Sequence, residues 1–110
     1  MREQGHTRAV VIHASDAQED IQRAVATAAA LSDAYPGARI RIIVNGEALN
    51  AISQLDPEDV PAGVGVGVCS VGLRRRGIDE SGVPEGVEVV PTAPLAIVEE
   101  QFNGAAYLRL

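Results

Sequence analysis

The sequence predicts an α/β fold, a three-layer α/β/α sandwich on a mostly parallel five-stranded sheet, and three observations carry that expectation. Short β-branched runs alternate with helix-periodic segments in units of about thirty residues, the rhythm of strand, crossover and parallel strand. Hydrophobic residues make up 46% of the chain while aromatics make up 3% and Trp is absent. The core must therefore be packed from Val, Ile, Leu and Ala, which suits helices laid on a sheet. The 110 residues are one ordinary domain's worth, enough to close a single core without staples.

Residues 1–8 are polar and aperiodic and read as a flexible N-terminal tail, with residues 9–110 as the single domain. "AVVIHA", residues 9–14, has the continuous apolar character of a strand buried on both faces. Ser15 and Asp16 can cap the helix that follows, with Gln18 and Glu19 as capping-box partners. The apolar positions Ile21, Ala24, Val25, Ala28, Leu31 and Tyr35 give that helix its buried stripe, and Pro36-Gly37 ends it. "ARIRIIV", residues 38–44, is the second strand, with Arg39 and Arg41 on one face, and it stops at Asn45-Gly46. A short helix carrying Ala48, Leu49 and Ile52 comes next, then the connection "DPEDVPAG", exposed loop or one capped turn.

"VGVGVC", residues 64–69, is the third strand. Gly65 and Gly67 fall on one face, and that bare face is expected to admit a helix or another backbone. "SVGLRRRG" suits one or two helical turns closed by Gly77. After the loop "IDESGVPEG", "VEVVPT", residues 87–92, forms the fourth strand. Thr92 caps a helix running through Leu95, Val98 and Phe102 to Gly104. "AAYLRL" supplies the fifth strand.

Composition excludes several function classes. A formal net charge of -6 and a pI near 4.7 have the wrong sign for neutralising the phosphates of a nucleic acid or an anionic membrane. No apolar run approaches the roughly 20 residues that span a bilayer. No apolar h-region follows the polar start "MREQGHTR", so a soluble, cytoplasmic protein is expected. All nine basic residues are Arg, which removes Schiff-base chemistry and a P-loop lysine. Leu73 and Arg74 stand where a P-loop needs Lys and Ser/Thr, and the glycines from Gly63 to Gly67 do not complete a dinucleotide fingerprint. No cofactor is indicated. Cys69, His13 and His6 are too few and too widely spaced for a closed metal site.

The candidate chemistry gathers at the carboxyl ends of the strands, the rim where open α/β sheets bind ligands. Cys69, the only cysteine, ends the third strand in the first turn of the next helix. Unpaired amides and the helix dipole there favour an anion, and a thiolate is one. A lone cysteine is also a small hydrophobe that fills a strand end, and both readings stay open here. Ser70 follows Cys69 in the same turn. His13 ends strand one and can polarise the thiol, hold a ligand or cap nearby backbone. Asn45 has an Asx turn before Gly46 as its simplest role. The run Arg74-Arg75-Arg76 spreads over much of a helix circumference, so at least one of its members faces solvent.

The order "VVIHAS", "VNGEAL", "GVGVCSVGLRRRGI", "GVEVVP" and "QFNGAAYLRL" resembles the DsrE/DsrF-like proteins of intracellular sulfur oxidation and sulfur relay, over nearly all of the chain from Ala9. The resemblance implies that Cys69 carries sulfur as a persulfide, as a sulfur carrier or sulfurtransferase with protein donors and acceptors. It also implies a homo-oligomer, trimer or hexamer, and a strand order of 4-3-2-1-5, in which Asn45 rather than His13 neighbours Cys69; a 2-1-3-4-5 order would put His13 beside it. The alternative function is a non-catalytic oligomeric module that holds a small anion or a partner loop at the rim of His13, Asn45, Gly46, Cys69 and Ser70.

Overall fold

Alternation along the strands sorts residues onto two faces and so decides what each helix meets. The computed structural model describes residues 8–110; the expected tail lies outside the described residues except for Arg8. That residue is already tied in: its carbonyl accepts from Arg39 N at 2.8 Å, and its guanidinium lies over the Tyr35 ring. Five strands follow, β1 (Ala9–Ala14), β2 (Arg39–Val44), β3 (Gly65–Cys69), β4 (Glu88–Val90) and β5 (Ala106–Arg109). They form one sheet of order β4-β3-β2-β1-β5, parallel throughout. Of the two orders open to sequence reasoning, this is the one that separates β1 from β3.

Ile12, Ala14, Ile40, Ile42, Val44, Val66 and Val68 point to one face and are buried there under helix α1 (Asp20–Ala34) and a 3₁₀ helix, Gly46–Gln54. The 3₁₀ helix supplies Ala48, Leu49 and Ile52, none more than 1% exposed. Val11, Ile43, Cys69 and Val90 point to the other face, under helix α3 (Ala93–Phe102), which presents Ala93, Ala96 and Ile97. A six-residue helix α2 (Ser70–Arg75) follows β3 and ends where Gly77 takes φ +67°, as expected. With α1 on one face and α3 on the other, the domain has the three layers anticipated.

Three local expectations are corrected. Helix α1 is not capped by Ser15 or Asp16; residues 17–19 form a turn, and the buried Asp20 carboxylate reaches back to the amides of Asp16 and Ala17 at 3.2 and 3.0 Å. Asp16 instead pairs with Arg109. Tyr35 lies just past the helix end and is exposed rather than part of its stripe. In α3 the large apolar residues Leu95, Val98 and Phe102 face outward, because its two alanines and Ile97 occupy the side toward the sheet.

The third correction concerns the bare face of β3, which is covered by side chains and not by a helix or backbone. A Cβ on Gly67 would come within 3.1 Å of Ile43 Cδ1 and 3.3 Å of Val90 Cγ1, and one on Gly65 would meet Arg41 Cγ at 3.7 Å. Arg41 lies across these glycines and donates to Glu88 at 2.7 Å and to Glu100 of α3 at 2.9 Å, while Arg39 bonds the other Glu100 oxygen at 2.8 Å. Burial pulls the Arg41 guanidinium down, but its bonds to Glu100 and Glu88 more than offset this and hold it above its ordinary range. The missing glycine side chains thus make room for an ion cluster that anchors the end of α3.

Candidate functional site

The sharp reversal after β2 begins the site. Gly46 adopts φ +60°, and a Cβ there would sit 2.7 Å from the Ser15 carbonyl oxygen, so the chain can turn under the end of β1 only with glycine. The turn carries Asn45 past the end of β2. Because Val44 pairs with Val68 in the parallel register, Asn45 and Cys69 are the next residues of adjacent strands. Asn45 forms no Asx turn; its Oδ1 lies 2.8 Å from His13 Nε2. An amide oxygen only accepts, so Nε2 carries a proton; Nδ1 lies 2.7 Å from the Tyr107 hydroxyl and, in the neutral imidazole, accepts from it.

This polar chain extends to the surface. Arg109 pairs with Asp16 at 2.6 Å. Asp16 is the main reason its guanidinium is held above the ordinary range, and the Tyr107 hydroxyl beside it adds to the effect.

Cys69 caps α2: its Sγ accepts from Gly72 N at 3.3 Å. A Cβ on Gly72 would meet Leu49 Cδ1 at 2.6 Å, so the missing side chain lets this turn pack directly on Leu49. Cys69 is 5% exposed, yet it forms part of the wall of a cavity of about 360 Å³. Asn45, Gly46 and Gly72 line the cavity with Thr92 and Pro94 of the α3 start and the exposed Arg75 and Arg76. Arg76 approaches Glu47 at 3.7 Å. Thr92 Oγ1 accepts from Leu95 N, leaving its proton free to donate.

Cys69, Asn45 and Gly46 are therefore brought together as sequence reasoning supposed. His13 is not on the cavity wall and reaches it only through Asn45. Ser70 stands apart, its hydroxyl accepting from Arg74 Nη1 at 2.9 Å, so the first arginine of the triplet serves α2 while the other two face the cavity. Sequence reasoning missed Thr92 as part of the wall and Tyr107 as the partner of His13. For Tyr107 the available signal was parity: β1 pairs with β5, and Tyr107 and Arg109 oppose Val11 and His13. Among the described residues no cluster of His, Cys, Asp and Glu is arranged to hold a metal ion, and no helix is long and apolar enough to cross a membrane.

A second concavity of about 460 Å³ runs along α3 on the same face of the sheet. Arg41, Glu88 and Val90 line it from the sheet, and Leu95, Val98 and Phe102 line it from the helix. Phe102 is 86% exposed.

Comparison with known proteins returns the fold and no function. No family model matches the chain, and no curated protein matches it. Among solved structures it is similar to the protein of unknown function MTH1491 from Methanobacterium thermoautotrophicum, with 26% identity and a TM-score of 0.80 over 96% of this chain and 100% of that one. It is similar also to the ychN protein from E. coli, at 22% identity and TM-score 0.68 over 96% and 100% of the two chains. A conserved protein of unknown function from Bacteroides thetaiotaomicron, BT1422, matches over the full length of both chains at 15% identity and TM-score 0.67. These likenesses establish the five-stranded α/β architecture as one that several solved proteins share.

Proposed function

We propose that this chain is a small sulfur carrier of the DsrE/DsrF-like kind, with Cys69 as the persulfide-bearing residue. The observation that supports this most is the position of Cys69: at a strand-to-helix turn, its Sγ bonded by a backbone amide, on the wall of a cavity that Arg75 and Arg76 also line. The thiolate is the attacking species, and the Gly72 amide already directs its N–H at the sulfur. The Cys69 thiolate attacks the outer sulfur of a donor persulfide; the donor's S–S bond breaks, the donor leaves as its thiolate, and Cys69 holds the transferred sulfur as a persulfide. An acceptor thiolate then attacks that same outer sulfur and returns Cys69 to its starting state, so that no net oxidation occurs. With no second cysteine in the chain, donor and acceptor are both other molecules, as suits a reducing cytoplasm.

Mass spectrometry of the intact protein after incubation with a persulfide donor tests the reading. One added sulfur atom on Cys69, absent from Cys69→Ser, is expected. No addition under conditions that modify an exposed control thiol would remove the proposal.

The low exposure of Cys69 favours a second reading, a binding module whose cavity holds a small anion or a partner loop. Its signature is a Cys69→Ser variant with unchanged binding. Under either reading we propose a homo-oligomer, a trimer or hexamer, assembled through Leu95, Val98 and Phe102. The start of α3 both borders the thiol cavity, through Thr92 and Pro94, and opens the second concavity, through Leu95, so a second copy seated there would approach the rim of the site.

A further inference from the structure

We propose that His13 and Tyr107 are positioning residues that hold the Asn45 amide with its NH₂ group toward the thiol cavity, and that the cavity in consequence selects small anionic over neutral ligands. The inference rests on the reading of the cavity as the working site and deepens it by naming the charge class of what enters.

The argument is one of hydrogen-bond direction. Left to itself, an asparagine side chain at a cavity wall can present either its oxygen or its nitrogen, and the two faces recognise opposite partners. Here Oδ1 is bound at 2.8 Å to His13 Nε2, and the imidazole is fixed from its other side by the Tyr107 hydroxyl at 2.7 Å. Each group donates to the next: Tyr107 O–H to Nδ1, then Nε2–H to Oδ1. With its oxygen engaged, the amide has its two N–H bonds left for the cavity.

The other polar groups of the wall act in the same sense. Arg75 and Arg76 only donate, and the Thr92 hydroxyl, whose oxygen accepts from Leu95 N, has its proton left to donate. Glu47, 3.7 Å from Arg76, is not part of the wall. The Cys69 sulfur, which also lines the cavity, already receives Gly72 N. A wall made of donors around a nucleophile recognises an anion such as a carboxylate or an anionic sulfur compound.

Two measurements test this. ¹⁵N spectra of the imidazole of the intact protein should show Nε2 protonated and Nδ1 bare; the opposite tautomer would overturn the proposal whatever the thiol does. The second compares alkylation of Cys69 by iodoacetate and by iodoacetamide, reagents of like size that differ in charge and that both form a C–S bond as iodide leaves. The ratio of the two rates should fall roughly three- to tenfold in His13→Leu and in Tyr107→Phe, the size of one lost charge-assisted hydrogen bond partly replaced by water. His13→Gln, whose amide can still donate to Oδ1, should restore most of it.

Thermal unfolding identifies the variants that fold, and Tyr107→Phe, at a partly exposed ring, serves if His13→Leu does not. An unchanged ratio in folded Tyr107→Phe, or a His13→Gln protein that behaves like His13→Leu, would overturn the inference. Should wild-type Cys69 resist both reagents, the proposed sulfur-carrier function would fall while the imidazole spectrum still decides the orientation of Asn45.

Discussion

The two faces of this sheet are held by different means. The face under α1 is closed by volume: Ile12, Ile42, Val44, Leu49, Ile52 and Val68 are all at most 1% exposed and carry no polar atoms in their side chains. The face under α3 is closed by pairing. One ten-residue helix covers it with two alanines and an isoleucine, Glu100 clasps Arg39 and Arg41 at one end, and His13 bridges Tyr107 and Asn45 at the other. The thiol cavity and the open concavity both lie on this second face. Apolar packing is indifferent to direction and leaves no void, whereas paired polar groups orient side chains and tolerate a cavity between them. A site that must admit a ligand therefore sits where packing is thin and orientation is strict.

The largest expected effect tests the closed face. Leu49 is fully buried and packs against the Gly72 turn that positions Cys69. Leu49→Ala should cost about 2–5 kcal/mol in urea or thermal unfolding, since the cavity lies in a core with little freedom to collapse. Ile97→Ala, on the thin face at 8% exposure, should cost less, toward the lower end of that range. A loss at Ile97 equal to or above that at Leu49 would break the contrast between the faces.

That contrast also explains which parts could be read from the sequence. Strand positions, the Pro36-Gly37 stop, the Gly77 and Thr92 helix ends and the gathering of Asn45, Gly46 and Cys69 at one rim follow from short-range rules: β-branched runs, capping chemistry and the alternation of side chains. The misread features depend on partners distant in sequence. Asn45 gives up its local turn because His13, 32 residues away, offers a donor. Asp16 is withdrawn from capping α1 by Arg109, 93 residues away. The outward turn of Leu95, Val98 and Phe102 cannot be read from α3 alone, since an apolar helix with two candidate faces is oriented by the surface it meets. Here Ala93, Ala96 and Ile97 are the side chains buried with Val11, Ile43 and Val90 of the sheet.

A middle-sized effect is expected at the ion cluster. Glu100→Gln keeps the shape but leaves Arg39 and Arg41 facing a neutral amide, with Glu88 as the remaining charged partner of Arg41. Removing one charge from a fully buried pair costs more, but Arg39 is half exposed and can turn to water, so about 1–3 kcal/mol is expected. The pH dependence has a definite sign. A guanidinium held above its ordinary range contributes its stability at every pH below that range and loses it only as pH rises through the raised value. The Arg41 contribution should thus persist unchanged from neutral to mildly alkaline pH. If Arg39→Met, Arg41→Met and Glu100→Leu together gave a protein as stable as wild type, the cluster would be a matter of orientation rather than of stability, which sharpens the contrast with the α1 face.

The smallest effect on stability is expected at Phe102, and it separates the single chain from its assembly. A phenylalanine 86% exposed has almost no buried area to lose, and Phe and Ser have similar helix propensities. Phe102→Ser should therefore change the unfolding free energy of dilute protein by no more than about 0.5 kcal/mol. Concentrated protein should behave differently. If copies associate through Leu95, Val98 and Phe102, association stabilises the folded state by mass action, and the wild-type Tm rises with concentration while that of Phe102→Ser stays flat. Sedimentation equilibrium on the same samples should show the variant at lower mass than wild type. A wild-type mass of one chain at every concentration would remove the proposed assembly and leave the thin face of the sheet open to water.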